Sequence, residues 1–95
     1  MGAVERHIRD RAVESLAEMT NLDVRPMFSG FGFYLDGLLV AAAWDGAFRL
    51  RHRRDRHWIY EPVDTDTLED PSLLVPMVQR QAAVLASVPE ARRRR

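Results

Sequence analysis

The 95-residue chain contains no cysteine and no lysine. Without a thiol, neither a disulfide nor a thiolate metal site can staple the fold, so a hydrophobic core has to hold it. A single domain of this length, spanning residues 1–95, buries on the order of 60 to 65% of its unfolded surface, which is enough to fold unaided. Without lysine there is no phosphate-binding loop of the Gly-x-x-x-x-Gly-Lys-Ser/Thr type. Long apolar runs are missing as well: none approaches the ~18 residues that cross a bilayer. The start of the chain carries Glu5, Arg6, Arg9 and Asp10 rather than the apolar core of a secretory leader. A cytoplasmic protein is the default reading. Charge of one sign is also absent, because fourteen arginines balance fourteen acidic residues. No global attraction to nucleic acid or to a membrane is expected from that balance. The arginine-only usage fits bidentate phosphate or carboxylate contacts, and it equally fits the codon composition of a GC-rich genome.

Among the residues present, the run Arg25-Pro-Met-Phe-Ser-Gly-Phe-Gly-Phe-Tyr-Leu-Asp-Gly37 says most about the fold. Gly30 and Gly32 permit a positive φ or a close backbone approach, while Phe31, Phe33 and Leu35 alternate with Gly32, Tyr34 and Asp36 at strand period. Asp36-Gly37 suits a type I′ turn, and Asp45-Gly46 repeats the signal nine residues on. These pairs predict strands near 31–36, 38–44 and 47–53. Asp55-Arg56 turns the chain again into a fourth strand, His57 to Val63, with Trp58, Ile59 and Tyr60 inside it.

Helices flank this meander. Val4, Ile8, Ala12, Leu16 and Met19 recur at helical spacing over residues 3–21, Asn21 suits a helix terminator, and Leu22 to Arg25 would connect helix to sheet. The acidic stretch Asp64 to Asp70 reads as a loop. Asp70-Pro71 matches an N-cap with proline at the first helical position, and Leu74, Met77, Val78, Gln81, Ala82 and Leu85 form a stripe. Pro76 removes a backbone donor, so the regular helix is expected at about 75–87. Pro89 stops it, which leaves an ordered core of about 3–88 and an arginine-rich tail, residues 89–95, that is frayed. The fold class is α+β: an N-terminal helix, an antiparallel meander of about four strands, and a C-terminal helix packed on one face of the sheet.

Arg25, Met27-Phe28, Gly30, Gly32, Tyr34 and Asp36-Gly37 resemble the motif of the TfoX/Sxy N-terminal domain family, usually written Met-Phe-Gly-Gly. Ser29 stands here in place of the first of those glycines. The resemblance spans roughly residues 5 to 88. It implies an α+β domain that regulates competence genes through partner transcription factors rather than by catalysis. Fuller family members carry a C-terminal domain not seen here, so functions that reside in it do not transfer.

Each candidate site also admits a plainer role. Met27, Phe28, Gly30, Gly32, Asp36 and Gly37 read as a structural motif, a strand start or bulge against which the first helix packs, rather than an anion nest. Arg25 and Tyr34 beside it are candidate partner contacts, although Arg25 also suits a local salt bridge. Arg49, Arg51 and Arg53 alternate with Phe48, Leu50 and His52, which puts three guanidinium groups on one strand face. Arg54, Arg56 and His57 extend this ribbon, and Arg92 to Arg95 reinforce it if the tail folds back. The ribbon is either a contact for an acidic protein or a nucleic-acid backbone, or a solvated face neutralised by residues such as Asp55, Glu61 and Asp64. Trp44, Trp58, Tyr34 and Tyr60 suit core or dimer packing better than a base-stacking platform. His7, His52 and His57 lack metal-ligand spacing, and Ser15, Ser29, Ser72 and Ser87 lack an identifiable base.

The expected function is therefore a non-enzymatic interaction module of TfoX N-terminal type with a protein partner, without cofactor or metal. A homodimer through an edge strand is plausible on this reading. The alternatives are a direct nucleic-acid binder using the Arg49 to Arg56 ribbon, and a small-ligand protein or enzyme using the Gly30-Gly32 turn.

Overall fold

A computed structural model of the chain describes residues 2–92. The described residues form helix α1 (Ala3–Ser15), strands β1 (Leu22–Met27), β2 (Gly30–Leu35), β3 (Leu38–Trp44), β4 (Ala47–Arg54) and β5 (His57–Val63), helices α2 (Thr65–Leu68) and α3 (Pro71–Ala86), and a closing 3-10 turn, Pro89–Arg92. The strands make one antiparallel sheet in the order β1-β2-β3-β4-β5. This is the expected α+β architecture with one strand more than the sequence predicts.

Three of the four hairpin turns follow turn chemistry. Asp36-Gly37, Asp45-Gly46 and Asp55-Arg56 all take positive φ at both central residues, as a type I′ turn requires. The fourth turn, Phe28-Ser29, hid the extra strand. Neither residue signals a tight turn, and Pro26 argues against a strand anywhere but at an edge. β1 is such an edge. Leu22 and Val24 pack on the core while Asp23 and Arg25 are exposed, so the segment expected as a connector alternates as a strand should.

One face of the sheet receives the helices. Phe31 and Phe33 on β2 pair across Ala43 and Ala41 on β3, which pair in turn with Phe48 and Leu50 on β4. Large rings thus flank a row of alanines, and Ala12 and Leu16 of α1 are fully buried in the same core. Phe33 and Phe48 meet edge to face at 5.1 Å, a geometry that adds about 0.5–1.5 kcal/mol to their burial. Leu74, Val78 and Leu85 of α3 complete the core.

The end of α1, the acidic segment and the first turn of α3 differ from expectation, whereas the Asp70 cap and the start at Pro71 are as expected. α1 ends at Ser15 rather than Asn21, and Val4 is exposed. Ser15 Oγ donates to the Leu68 carbonyl at 2.6 Å, and Asn21 instead ties β1 to the next turn by accepting from the Asp36 N–H. The acidic segment holds the short α2, capped where Asp64 accepts from the Thr67 N–H at 2.7 Å. That bond holds the Asp64 carboxyl below its ordinary range. α3 starts at Pro71, capped by Asp70, and runs unbroken through Pro76. The carbonyl deprived by Pro76 belongs to Ser72 in the exposed first turn, where water can satisfy it.

Residues 89–92 are not frayed. Ala91 is buried in the core, Glu90 approaches Arg53, and Arg92 donates to the Asp36 carbonyl. Residues 93–95, the rest of the expected tail, lie outside the described residues.

Gly30 and Gly32 serve close approach rather than positive φ, which the motif keeps for Gly37. A Cβ at Gly30 would collide with the Ala43 carbonyl oxygen, a backbone atom that cannot step aside; at Gly32 it would meet the mobile ends of Tyr34, Leu39 and Met27. Gly30→Ala should therefore cost about 1–3 kcal/mol, with Gly32→Ala costing less. Urea denaturation of the two variants checks the order, and an unchanged midpoint for Gly30→Ala would contradict it.

Candidate interaction site

Among the described residues α1, α2 and α3 pack on the first face of the sheet, and only the closing turn Pro89–Arg92 reaches side chains of the second, at Arg51 and Arg53. Register places Arg25, Gly32, Ala42, Arg49 and Pro62 in one row across the second face, with Arg51 opposite Tyr60 and Arg53 opposite Trp58. The expected alternation of β4 is present: Phe48 and Leu50 enter the core while Arg49, Arg51 and Arg53 point the other way.

These arginines do not form a solvated ribbon. A bulge on β3 shifts the pairing from Phe33↔Ala41 to Tyr34↔Leu39 and sends Val40 into the core. β3 and β4 pair only as far as Ala41↔Leu50, beyond which β4 continues with β5 alone. Arg51 closes the gap. Its Nη1 donates to the carbonyls of Leu39 (2.9 Å) and Ala91 (3.1 Å), and its guanidinium lies 3.7 Å from the centre of the Trp58 ring. It is only 7% exposed. Burial pushes its pKa down, opposed by the phenols of Tyr60 and Tyr34.

Arg49 is spent in a similar way. Its Nε and Nη2 donate to the carbonyls of Trp44 and Asp45, and Nη1 donates to that of Tyr60. Arg53 also lies over the Trp58 ring, 4.6 Å from its centre, and within 3.9 Å of Glu90. Arg25 pairs with Asp23 at 2.7 Å and sits 5.0 Å over Tyr34. Arg54 faces the helix side, paired with Glu61 at 3.4 Å, and Arg56 stands in the exposed β4–β5 turn. The predicted ribbon is thus divided between two faces and a turn.

An apolar corner remains at the β1–β2 end. Met27, Phe28, Trp44 and Tyr60 line a cleft of about 140 Å³. Trp44 and Tyr60 meet edge to face at 6.3 Å. Phe28 is 94% exposed and holds φ at 51°, while Trp44 is 38% exposed. A structural-motif role for Phe28, as its sequence context predicts, does not account for a ring that stands in solvent. The signal was the two-residue spacing between Met27 and Gly30, which leaves Phe28 at a hairpin corner.

The other candidate chemistry is engaged elsewhere. On the helix side, a cleft of about 190 Å³ holds His52, Glu61, Asp64, Thr67 and Met77. His52 Nε2 lies 3.0 Å from Glu61 and Nδ1 lies 3.4 Å from Gln81, while His57 is exposed. Among the described residues no group of three or more His, Cys, Asp or Glu could hold a metal ion. Ser15, Ser72 and Ser87 donate to Leu68, Asp70 and Val84, and Ser29 is exposed in the turn. No helix among the described residues is long and apolar enough to cross a membrane. Comparison with protein-family models, curated proteins and solved structures finds no match to the chain.

Arg51→Met should lower stability by about 2–3 kcal/mol, since it strips charged donors from two carbonyls, whereas Arg25→Ala should change it by no more than about 0.5 kcal/mol. Chemical denaturation of both variants tests this, and equal effects would contradict it. Burial also raises the Tyr60 phenol above its ordinary value, against the pull of Arg51. A raised folded-state value means that the stability it contributes is complete below the ordinary tyrosine pKa and is lost as pH rises through the folded one. Alkaline ultraviolet titration should show one late-ionising tyrosine, absent in Tyr60→Phe and later still in Arg51→Met.

Proposed function

We propose that this chain is a non-enzymatic protein-interaction module of TfoX N-terminal type, cytoplasmic and acting in transcriptional regulation, and that its contact surface is the apolar corner around Phe28. The observation that carries the reading is Phe28 itself: an aromatic ring 94% exposed, in a left-handed conformation, beside a cleft of Met27, Trp44 and Tyr60. Left-handed backbone is costly for a bulky residue and tends to persist where function requires it. Aromatic anchors in desolvated pockets are what protein interfaces concentrate their affinity in. The motif behind the family resemblance supports the same surface, because Arg25, Met27, Gly32 and Tyr34 gather on this face, adjoining Phe28.

The nucleic-acid alternative draws less support. Its guanidinium groups are bonded to main-chain carbonyls or paired with Asp23, Asp45 and Glu90, so few remain for phosphates.

Placing a photo-crosslinking phenylalanine analogue at position 28, and in a control at His57, tests the reading in cells. A protein adduct from position 28 well above that from 57 is the expected result. The contrary result is no adduct at 28 together with DNA binding that weakens roughly a hundredfold between about 50 and 200 mM salt, the slope of four phosphate contacts. The charge-reversal control for that binding is Arg25→Glu with Arg56→Glu, because reversing the buried Arg51 would disrupt the fold.

A further inference from the structure

The β1–β2 corner carries both a projection and a socket. Phe28 stands in solvent, and the cleft beside it measures about 140 Å³. An apolar cavity of about 150 Å³ accepts benzene, so the socket suits one phenyl ring. Turn formation does not require the projection: the other three turns place aspartate at the corresponding left-handed corner, at Asp36, Asp45 and Asp55.

Charge narrows what can fill the socket. Arg25 is paired with Asp23, Arg49 with Asp45 and Arg53 with Glu90, while Arg51 is buried. The face offers little unpaired positive charge to an acidic peptide or a phosphate backbone. Its complement is a neutral surface with an aromatic knob. A second copy of the chain has that knob, and its formal net charge is zero, so copies do not repel. Pairing through strand edges is discouraged instead, since β1 and β5 are the two edges and carry Pro26 and Pro62.

We infer that two copies associate about a two-fold axis at this corner, Phe28 of each copy entering the cleft formed by Met27, Trp44 and Tyr60 of the other. The contact is isologous, so one projection and one socket satisfy both copies at once. Because Phe28 lines its own cleft, the two Phe28 rings also meet. The inference rests on the reading of this corner as a protein-contact surface and names the protein that fills it.

Sedimentation equilibrium from micromolar to millimolar concentration tests it on three proteins: the unaltered chain, Phe28→Asn, and Arg56→Glu at the opposite end of the sheet. Asparagine tolerates the left-handed corner, so Phe28→Asn should keep the fold, with circular dichroism as the check. The expected result is a monomer–dimer equilibrium for the unaltered chain and Arg56→Glu, and a dissociation constant raised by about 30-fold or more in Phe28→Asn, the effect of losing an interface anchor. A chain that stays monomeric at millimolar concentration, or a dimer that survives Phe28→Asn, overturns the inference. The crosslinking experiment separates the two claims. An adduct from position 28 with a different protein alone leaves the contact surface standing and removes the second copy, whereas no adduct together with salt-dependent DNA binding removes both.

Discussion

The parting of β3 from β4 is the constraint around which the uncovered face is arranged. Beyond Ala41↔Leu50 the ladder between these strands stops, because the bulge at Val40 has turned a residue into the core. Unpaired carbonyls at such a site are expensive when shielded from water. Arg51 supplies the missing donors to Leu39 and Ala91 in one side chain. The same guanidinium anchors the closing turn Pro89–Arg92 and stacks on Trp58. Val40 in the core and Arg51 in the gap are two sides of one irregularity.

From this follows the electrostatic character of the face. A planar guanidinium with five donors can serve several carbonyls while stacking on an aromatic ring, which an ammonium group cannot do as well. Arg49 donates through all three of its guanidinium nitrogens and Arg51 serves two carbonyls through Nη1 while its buried Nε stays unpartnered, so a sequence dense in positive charge folds into a face whose guanidinium groups are largely engaged internally. What is left for other molecules is apolar and local: the exposed Phe28, the partly exposed Trp44 and the cleft between them. Proline stands on both sheet edges, in β1 and β5, where it removes a backbone donor.

Much of this fold was legible in the sequence, where local chemistry and global structure agree. The three turns beginning with aspartate fixed four strands to within a residue or so, and the stripe from Leu74 to Leu85 located α3. The misreadings have separate physical causes. β1 carries no turn signal, because its turn is built on Phe28-Ser29 and its proline is tolerated only at an edge. The helical stripe outruns α1, because Leu16 and Met19 pack on the core from a turn as well as they would from a helix. The order of the tail has no local signal, because its anchors, Arg51 and Arg53, are some forty residues away in sequence. For the site, the alternation of β4 gave the direction of the arginines correctly. It carried no information about the carbonyls waiting for them, because the bulge and the end of the β3–β4 ladder leave no local signature.

The central claim is that the β4 arginines are internal structure and that the accessible part of the face is its apolar corner. Iodide quenching of single-tryptophan variants tests it most directly, with Trp58→Phe reporting on Trp44 and Trp44→Phe reporting on Trp58. At low protein concentration the account predicts that Trp44 is quenched readily and that Trp58, covered by Arg51 and Arg53, is protected. Strong quenching of Trp58 by the anion, exceeding that of Trp44, would mean that the arginines are free at the surface and would contradict the account.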